Sequence, residues 1–503
     1  MLYLSKSKYC KFCQCPKIIW LQKHKPEEEY FDPQSKSLME KGNEIGDLAM
    51  GLWGSFVEVT AYKDGKLDLA EMSRRTAREM AKETPVICEA SFMNKGLYCA
   101  VDILKRSSDG WELYEVKSSA TKEGVKQTYL ADIAYQRYVL KQCGVHISGT
   151  YLVTVNTNYV FDGNNLDLSQ LFDIRDVSAD ITDELSKVPQ NLQAAEAVMQ
   201  FETEPDIDIS RHCNYPYRCP FWQYCTRELP DQSVFNLYRF KDKFDCYQQG
   251  IVSFEDYRRY YRKKNPIRDR QVEYALEDKG TYVDCKGITE FLSMLSYPLY
   301  FLDFETMQPA VPLYAMSKPY AQIPFQYSLH YIEEKGGPLM HREFLAESGP
   351  DPRRPLAEKL CDDIPPDVCV LAYNKSFECN RLKELAELFP DLAEHLLSIE
   401  SNILDLLTPF RNGYYYNRAM GGSFSIKSVL PAMFPEDPEL DYKNLEGVHN
   451  GSEAMEVFPL IKDMNERERE ETRRNLLRYC ALDTYAMVRI WEKLEEVANE
   501  QKV

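Results

Sequence analysis

Two acidic residues interrupt an apolar, aromatic stretch of this chain. Asp303 and Glu305 lie in the sequence PLYFLDFETM, residues 298–307, and one phenylalanine separates them. Side chains two positions apart on a β-strand point to the same face of a sheet, so these carboxylates are predicted to lie side by side. Two anions in a partly dry place repel each other unless a cation lies between them. Hard divalent metals prefer carboxylate oxygens, so the pair predicts a metal site; the alternative is a strand end whose acids reach water.

Further polar residues with the same potential chemistry follow later in the chain. In LAYNKSFECNRLKEL, a predicted strand ends at Asn374, and Ser376 is predicted as the N-cap of the next helix. Glu378 then lies in the first helical turn, beyond the carboxyl end of a strand, where sites collect in open α/β sheets. Near the end of the chain, Tyr479 and Asp483 are four residues apart and would share one face of a helix.

In their order and setting, these residues resemble the motifs of the DEDD exonucleases, the DnaQ-like branch of the ribonuclease H-like fold. The first motif of that family, Asp-x-Glu on the first strand, falls on Asp303 and Glu305. Its last motif, which is Tyr-x-x-x-Asp in one subfamily, falls on Tyr479 and Asp483. The resemblance implies a ribonuclease H-like domain that removes nucleotides from 3′ ends.

The second motif of the family, an Asn-x-x-Phe-Asp-like turn into a helix, falls on Asn374, Phe377 and Glu378. The usual residue at the last position is Asp, and the extra methylene of Glu378 requires a shifted helix if the carboxylate is to reach a shared metal. The resemblance implies that the four acids hold two Mg²⁺ or Mn²⁺ ions. It also implies that Tyr479 orients the attacking water.

A glycine-containing turn, GGSFSIKSVLPAMFP, precedes another predicted helix of this region. The amino terminus of a helix presents unpaired N–H groups that bind phosphate. Lys427 lies near this terminus and adds a positive charge, so the segment is predicted to contact nucleic acid. A flexible turn followed by an ordinary N-cap explains the pattern equally well.

The amino-terminal part of the chain contains a second set of acids. LYCAVDILKRSSDGWELYEVKSS is typical of two strands joined by a hairpin turn at SSDG. Asp102 lies on the first strand, and Glu115 and Lys117 lie two positions apart on the second, on one face. A single-metal nuclease needs two carboxylates for Mg²⁺ or Mn²⁺ and a lysine that activates the water beside the phosphate. The alternative is the alternating charge of an exposed strand.

The surroundings of this hairpin resemble the RecB-family PD-(D/E)XK nucleases. The next helix, YLADIAYQRYVLKQCG, contains Gln136 and Tyr138, similar to the Gln-x-x-x-Tyr-type motif of that family but more tightly spaced. The resemblance implies that Gln136 is part of the site, that Tyr138 contacts nucleic acid and that Glu89 is an outer metal ligand. KGNEIGDLAMGL resembles the first helix of the family, which often carries a His; this chain has Gly46 there and Glu44 close by.

Fifteen cysteines in a chain without a predicted secretion signal argue against a disulfide framework. Cys213, Cys219 and Cys225 follow a C-x5-C-x5-C spacing after the nuclease-like segment, and Cys15 precedes that segment. This arrangement resembles the iron–sulfur nucleases of the RecB-like and CRISPR-associated group, which implies a [4Fe–4S] cluster that joins the two ends of the domain. Zinc is the alternative ligand of four thiolates, free thiols are a third interpretation, and two cysteines just upstream of Cys15 compete with it.

The segment YRRYYRKKNPIRDR interleaves tyrosines with basic residues. Bases stack on aromatic rings and phosphates pair with cations, so Arg258, Tyr261 and Arg262 are predicted to contact single-stranded nucleic acid. An amphipathic helix with a solvated basic side is the alternative. The whole chain has a formal charge of −18, which argues against a generally basic coat for nucleic acid but allows a local basic channel.

The length of 503 residues predicts two or three domains, and 44% hydrophobic residues are typical of a well-packed globular protein. The predicted fold class is α/β and multidomain: a PD-(D/E)XK domain in residues 1–228, a helical connector in 229–295 and a DnaQ-like domain in 296–503. No apolar run reaches membrane-spanning length and the start lacks a signal peptide, so a cytoplasmic protein without membrane partners is expected. The expected partner is DNA, single-stranded or with free ends; RNA, or a degenerate scaffold at DNA ends, is the alternative.

Overall fold

The computed structural model describes residues 4–31, 42–119 and 125–500. The chain divides into two compact units. The first unit contains Met1–Glu228 and Ala310–Tyr320, and the second contains Leu229–Pro309 and Ala321–Val503. The first division lies at the predicted end of the amino-terminal domain, whereas the separate segment of the first unit has no counterpart in the sequence prediction.

Helices and strands alternate through both units. The α-helices of the described residues are α1 Lys6–Gln14, α2 Pro16–His24, α3 42–49, α4 Leu69–Ala81, α5 Gln127–Gln142, α6 Leu168–Leu171, α7 Thr182–Gln200, α8 Trp222–Thr226, α9 Lys243–Gln248, α10 Phe254–Tyr260, α11 Pro266–Leu276, α12 Cys285–Leu292, α13 Arg353–Asp363, α14 Ser376–Leu388, α15 Ala393–Ser401, α16 Thr408–Arg411, α17 Ile426–Met433, α18 Gly451–Val457 and α19 Glu466–Glu500. The strands are β1 Leu4–Ser5, β2 Val57–Glu58, β3 Tyr62–Lys63, β4 Lys66–Leu67, β5 Val86–Asn94, β6 Leu97–Ser107, β7 Gly110–Lys117, β8 Ile147–Val155, β9 Phe172–Asp176, β10 Thr281–Val283, β11 Leu299–Met307, β12 Ile323–Ile332, β13 Met340–Leu345, β14 Cys369–Ala372, β15 Ile403–Asp405 and β16 Tyr415–Asn417.

The first unit is built on a mixed sheet of seven strands. Six of them follow the order β2-β5-β6-β7-β8-β9, and β1 pairs in parallel with β6. β5, β6 and β7 are antiparallel neighbours, whereas β7 and β8 run parallel. β6 and β7 close on the pair Ser107 and Gly110, which confirms the hairpin predicted at SSDG. The two strands with the predicted acids therefore lie in the middle of the sheet.

Both faces of this sheet are covered. Leu113 and Leu152 belong to a core that includes α1, α2, α5 and α7, whereas their neighbours Tyr114 and Val153 belong to a second core with α3. This alternation follows from the period of two in strand side chains. The segment 310–320 joins the second core and exchanges backbone hydrogen bonds of 2.8 and 3.0 Å with the loop after β8.

The second unit contains a five-stranded sheet in the order β13-β12-β11-β14-β15. β13, β12 and β11 are antiparallel, whereas β11, β14 and β15 are parallel. β11 is buried along its whole length except at Asp303, which is half-buried. An apolar core packs α13, α14 and α15 against the sheet, and α19 contacts β11 and β12. The strands and helices that the sequence predicts around the acids are thereby confirmed.

The boundary before α14 differs from the prediction. Ser376 is not the N-cap but the first helical residue, and the cap position belongs to Lys375. β14 ends at Ala372, two residues before the predicted end of the strand, and Asn374 lies in the turn with a φ of 68°. The helix begins one residue earlier than expected. Glu378 still lies in the first helical turn, as predicted.

Residues 229–295, predicted as a helical connector, lie within the second unit. Four helices, α9 to α12, account for the helical pattern, and Ser253 forms a capping box with Asp256 at the start of α10. The segment also contains β10, which pairs with β16. Backbone hydrogen bonds therefore attach this segment to the rest of its unit.

The architecture is a mixed α/β, multidomain one, in agreement with the predicted fold class. None of the helices in the described ranges combines the length and the apolar character needed to cross a bilayer. The longest, α19, carries charged residues throughout its 35 positions.

Candidate functional site

Four acids of the second unit form one group, which we call the four-acid cluster. Asp303 and Glu305 extend from β11, Glu378 from the first turn of α14 and Asp483 from α19. Asp303 lies close enough to the other three to sense their negative charge. The ligand atoms of Asp303, Glu305 and Cys480 all lie within 4.8 Å of one another. The fold thus brings together the four acids that the sequence singles out.

Burial and mutual repulsion change the protonation of the four-acid cluster. The pKa values of Asp303 and Glu305 lie well above their ordinary values, because of burial first and then the charge of Asp483. Burial raises the pKa of Glu378 to about 8 and also raises that of Asp483. Without a cation the cluster therefore retains protons at neutral pH, and a divalent cation would release them.

Glu378 has a feature that fits a metal ligand. Its side chain is 2% exposed, and within the described part of the chain its Oε2 has no hydrogen-bond partner. Leaving a buried polar group unpaired costs about 1–3 kcal/mol, and more when it is charged. The charge of Glu378 adds to the rise in the pKa values of Asp303 and Glu305, so its carboxylate faces the same region. Glu378 is not among the residues whose ligand atoms all lie within 4.8 Å of one another. The donor set of carboxylate oxygens suits a hard divalent cation.

Two tyrosines and a lysine border the four-acid cluster. Tyr442 Oη donates to Asp483 Oδ1 at 2.5 Å, and the ring centroids of Tyr442 and Tyr479 are 6.2 Å apart. Lys427 Nζ lies 5.1 and 5.4 Å from these two ring centroids and donates to the His449 carbonyl at 2.9 Å. Burial, followed by the charge of Asp483, raises the pKa of both tyrosines, so their hydroxyls remain hydrogen-bond donors.

Without metal, the second unit is expected to lose stability as the pH rises from about 4 to about 8. An unfolded Glu has a pKa of about 4.3, whereas folded Glu378 has a pKa of about 8. Between these values the folded state binds more protons than the unfolded state, so the free energy of unfolding falls with pH. Thermal unfolding in EDTA across this range measures the slope, and Glu378→Gln should flatten it. Glu387→Gln, an exposed change on the same helix, should leave the slope unchanged; an equal slope in Glu378→Gln contradicts the prediction.

The first unit contains a second group of charged side chains between β6, β7 and α5. Asp102 Oδ2 accepts a hydrogen bond from the Val116 N–H at 2.7 Å. Lys117 Nζ donates to Glu115 Oε1 at 2.6 Å, and Gln136 Nε2 donates to Glu115 Oε2, also at 2.6 Å. The hairpin and the following helix thus bring together the residues predicted for this site.

Two residues of this group were not predicted from the sequence. Asp132 accepts from Lys117 at 2.7 Å and from Gln136 at 3.1 Å. Lys6 Nζ donates to both carboxylate oxygens of Glu115 at 3.1 and 3.2 Å. Asp132 lies one helical turn before Gln136, a spacing that could have identified it. Lys6 and Glu115 are 109 positions apart, and no local pattern connects them.

Opposite charges determine the protonation of this group. Burial opposes the ionisation of Glu115, but Lys117 and Lys6 hold its pKa below the ordinary value. Burial and the charge of Glu115 raise the pKa of Asp102 to about 6. The backbone of Glu89 has a φ of 55°. Burial and the charge of Asp102 raise the pKa of Glu89 to about 7. Glu89 thus lies beside the site.

The other residues of the amino-terminal prediction occupy different environments. Tyr138 is half-buried and packs against the core of the first unit. Gly46 and Glu44 lie on α3. The negative charge of Glu44 helps to raise the pKa of Tyr320, and the Tyr320 hydroxyl donates to the Ser118 carbonyl. The helix that resembles the first helix of the family is therefore near the end of β7, whereas Tyr138 contributes to packing.

Four cysteines line one cavity of the first unit: Cys15, Cys213, Cys219 and Cys225. The remaining lining is mostly apolar and includes Lys17 and His212. Burial raises the pKa of all four thiols, so they are protonated without a metal. Metal ions bind thiolates and release these protons, so the donor set fits a thiolate-bound centre.

The two competing cysteines have other surroundings. Cys13 Sγ lies 3.9 Å from Asn191 Nδ2, and Cys10 lies near Asp132 and Lys117; neither lines the cavity. A tetrahedral zinc with Zn–S bonds of about 2.3 Å would hold its sulfurs about 3.8 Å apart. Among the described residues, no three of the cysteine sulfurs lie within 4.8 Å of one another. Without a metal, the thiols are therefore not gathered at the spacing of a bound zinc.

The basic and aromatic segment is divided between α10 and α11. Tyr261 Oη donates to Asp242 Oδ2 at 2.7 Å, and its ring packs with neighbouring aromatic rings. Arg258 pairs with Glu277 at 3.3 Å on the surface, and Arg262 is exposed. Tyr261 is therefore a packing residue, and the two arginines present the positive charge of the segment.

Comparison with known proteins identifies related sequences of undetermined activity. Residues 300–425 match a family model described as a domain of unknown function, DUF2779. The uncharacterized protein MG366 of Mycoplasma genitalium is 27% identical over 231 residues, which are 42% of this chain and 34% of that protein. The uncharacterized protein UU173 of Ureaplasma parvum is 27% identical over 238 residues, which are 42% and 33% of the two chains. The matched regions thus span about a third of the length of these relatives.

Proposed function

We propose that the protein is a metal-dependent nuclease that acts on DNA, with a 3′–5′ exonuclease site in the second unit and another nuclease site in the first. The main support is the four-acid cluster, in which the buried Oε2 of Glu378 lacks a partner among the described residues. Buried carboxylates that repel one another are unfavourable unless a cation binds them. The resemblance suggests a setting in DNA repair, recombination or defence against foreign DNA.

In the second unit, the four-acid cluster would hold Mg²⁺ or Mn²⁺, which activate water and neutralise phosphate charge when bound. Tyr479 keeps its proton and would orient a water through its hydroxyl. Lys427 is exposed beside the cluster and would pair with a phosphate oxygen of the substrate. The central position of β11, which carries the Asp-x-Glu motif, supports the ribonuclease H-like interpretation.

In the first unit, Asp102 and Glu115 would hold one Mg²⁺ or Mn²⁺, and Glu89 would add an outer carboxylate. Lys117 is positioned by its hydrogen bond to Glu115. It would activate the attacking water beside the phosphate. Gln136 orients the other oxygen of Glu115. The hairpin in the middle of a mixed sheet supports the PD-(D/E)XK interpretation.

The four cysteines around the cavity support a [4Fe–4S] cluster. They lie near the start and the end of the first unit, so a cluster bound to all four would join these two parts of the chain. The resemblance to the iron–sulfur nucleases favours the cluster over zinc, which also accepts four thiolates. Its role would be structural, because it would restrict the unfolded chain.

A second candidate function is an exonuclease whose first unit only binds nucleic acid, with RNA as an alternative substrate. It is favoured by Lys6, whose ammonium already contacts the acid that would hold the metal of the first unit. In this case Lys117→Ala would leave all cleavage unchanged. A scaffold without catalytic activity is the third alternative.

The purified protein is expected to shorten labelled nucleic acids when Mg²⁺ or Mn²⁺ is present and to be inactive in EDTA, because the bound metal would generate the nucleophile and stabilise the leaving oxygen. Single-stranded DNA, double-stranded DNA and RNA are each labelled at the 3′ or 5′ end, and the products are separated by length. Early release of the 3′ label as mononucleotide identifies 3′–5′ polarity. Absence of cleavage with either metal contradicts both nuclease proposals and favours the scaffold.

A further inference from the structure

We infer that Lys6 occupies the cation position of the acid group in the first unit, so that a divalent metal binds there only when this ammonium withdraws. The inference rests on the proposed metal site of that unit. Lys6 Nζ lies 3.1 and 3.2 Å from the two carboxylate oxygens of Glu115, 3.6 Å from Asp102 Oδ1 and 4.0 Å from Asp132 Oδ1. It therefore faces three carboxylates at once.

The ammonium and a metal would require the same place. An ion such as Mg²⁺ that is shared by Asp102 and Glu115 would lie about 2.1 Å from an oxygen of each carboxylate. Lys6 Nζ already lies between these carboxylates, at hydrogen-bond distance from both oxygens of Glu115. Two cations at such close range repel each other strongly in a partly dry site. Metal binding is thus an exchange of one cation for another.

The backbone of Lys6 is fixed, so the exchange involves its side chain. The two preceding residues form β1, which pairs with the strand that carries Asp102. Tyr135 Oη donates to the Leu4 carbonyl at 2.5 Å, and Ser5 Oγ caps α1. Lys6 is the first residue of that helix. Its flexible stem lets the ammonium leave without moving the backbone.

The charges of the group explain why a lysine is present there. Asp102, Glu115 and Asp132 are three carboxylates, and Lys117 alone would compensate only one of them. Lys6 supplies the second ammonium, which keeps the acids paired while no metal is bound. Among the described residues, no acid of the four-acid cluster forms an ion pair, and its raised pKa values show that it retains protons instead.

Mn²⁺ binding to the full-length protein tests the inference. The parent carries Asp303→Asn and Glu305→Gln, which disable the site of the second unit, and free Mn²⁺ is measured by electron paramagnetic resonance. Lys6→Met removes the charge but keeps a side chain of similar length. Lys6→Gln removes the charge but keeps a hydrogen-bond donor, and it is measured as well in case Lys6→Met does not fold. Both should bind Mn²⁺ at least about tenfold more tightly than the parent, because the competing charge is gone. Lys6→Arg should bind like the parent, and adding Glu115→Gln to Lys6→Met should remove the gain.

The outcomes separate this inference from the proposed function. Tighter binding in the neutral variants supports the exchange of cations. Equal or weaker binding in these variants overturns the inference and leaves the metal site of the first unit in place. If neither the parent nor any variant at Lys6 binds Mn²⁺, both the inference and the proposed metal site of the first unit are wrong.

Discussion

Asp303→Asn is expected to reduce the metal-dependent release of 3′-terminal nucleotides by about a thousandfold or more. The Asp303 carboxylate lies within 4.8 Å of the ligand atoms of Glu305 and Cys480. The charges of the other three acids all act on it, so it is central to the four-acid cluster. Bound metal contributes several kcal/mol of transition-state stabilisation. Losing about 4 kcal/mol of it corresponds to three orders of magnitude in rate. Initial rates on a 3′-labelled single strand measure the change.

The stability of Asp303→Asn distinguishes a lost ligand from a misfolded site. Asn has nearly the same shape as Asp but no charge, so the metal-free variant should unfold at the same temperature as the wild type or higher. Asp463→Asn, a matched change at an exposed position of the same unit, should retain full activity. Lys117→Ala, in the first unit, should also retain the release of 3′ nucleotides from the second unit. Wild-type activity in Asp303→Asn would show that the four-acid cluster is not the exonuclease site.

The acids of both groups could be predicted from sequence because each belongs to a local pattern. Asp303 and Glu305 follow the period of two on a buried strand, and Asp483 follows Tyr479 by one helical turn. Asp102 lies on the first strand of a hairpin whose turn residues are typical of that structure. Patterns of this kind depend on backbone geometry alone and so can be read without knowing the tertiary fold.

The residues that the sequence did not reveal act through distant contacts. Lys6 is 109 positions from Glu115, and Tyr442 is 41 positions from Asp483, to which it donates a hydrogen bond. Neither pair has a spacing typical of a helix or strand, so only the packing of separate elements brings them together. The same is true of residues 310–320, which the sequence shows only as a connection between two strands. Their place in the first unit follows from buried side chains and backbone hydrogen bonds far away in the chain.

The two acid groups differ in how they balance charge without metal. In the first unit, Lys6 and Lys117 pair with Glu115 and hold its pKa low. In the second unit, burial and repulsion raise the pKa of the acids, and Glu378 reaches about 8. The metal of the second unit would therefore displace protons, whereas the metal of the first would displace an ammonium. We accordingly expect a steeper pH dependence of metal binding in the second unit.

Cys219→Ser is expected to remove visible absorbance at about 400 nm and to destabilise the first unit. A cluster on Cys15, Cys213, Cys219 and Cys225 would close a long loop, and such a closure restricts the unfolded chain. A crosslink across a long loop contributes about 3 kcal/mol, which corresponds to roughly 6–12 °C in the thermal midpoint of a domain of this size. Absorbance, iron content and thermal unfolding of protein purified without oxygen measure these changes.

The choice of control cysteines makes the assignment of ligands specific. Cys143→Ser changes a half-buried thiol of the same unit that does not line the cavity, so colour and midpoint should match the wild type. Cys13→Ser should also match the wild type, because Cys13 does not line the cavity. Cys15 does line it, so Cys15→Ser should behave like Cys219→Ser. A colourless protein that contains one zinc per chain would show that these thiolates bind zinc and not an iron–sulfur cluster, since zinc is d¹⁰ and does not absorb visible light. Equal colour and midpoint in Cys219→Ser and Cys143→Ser would contradict any metal centre on these thiolates, since removing one of four ligands must weaken the centre that they share.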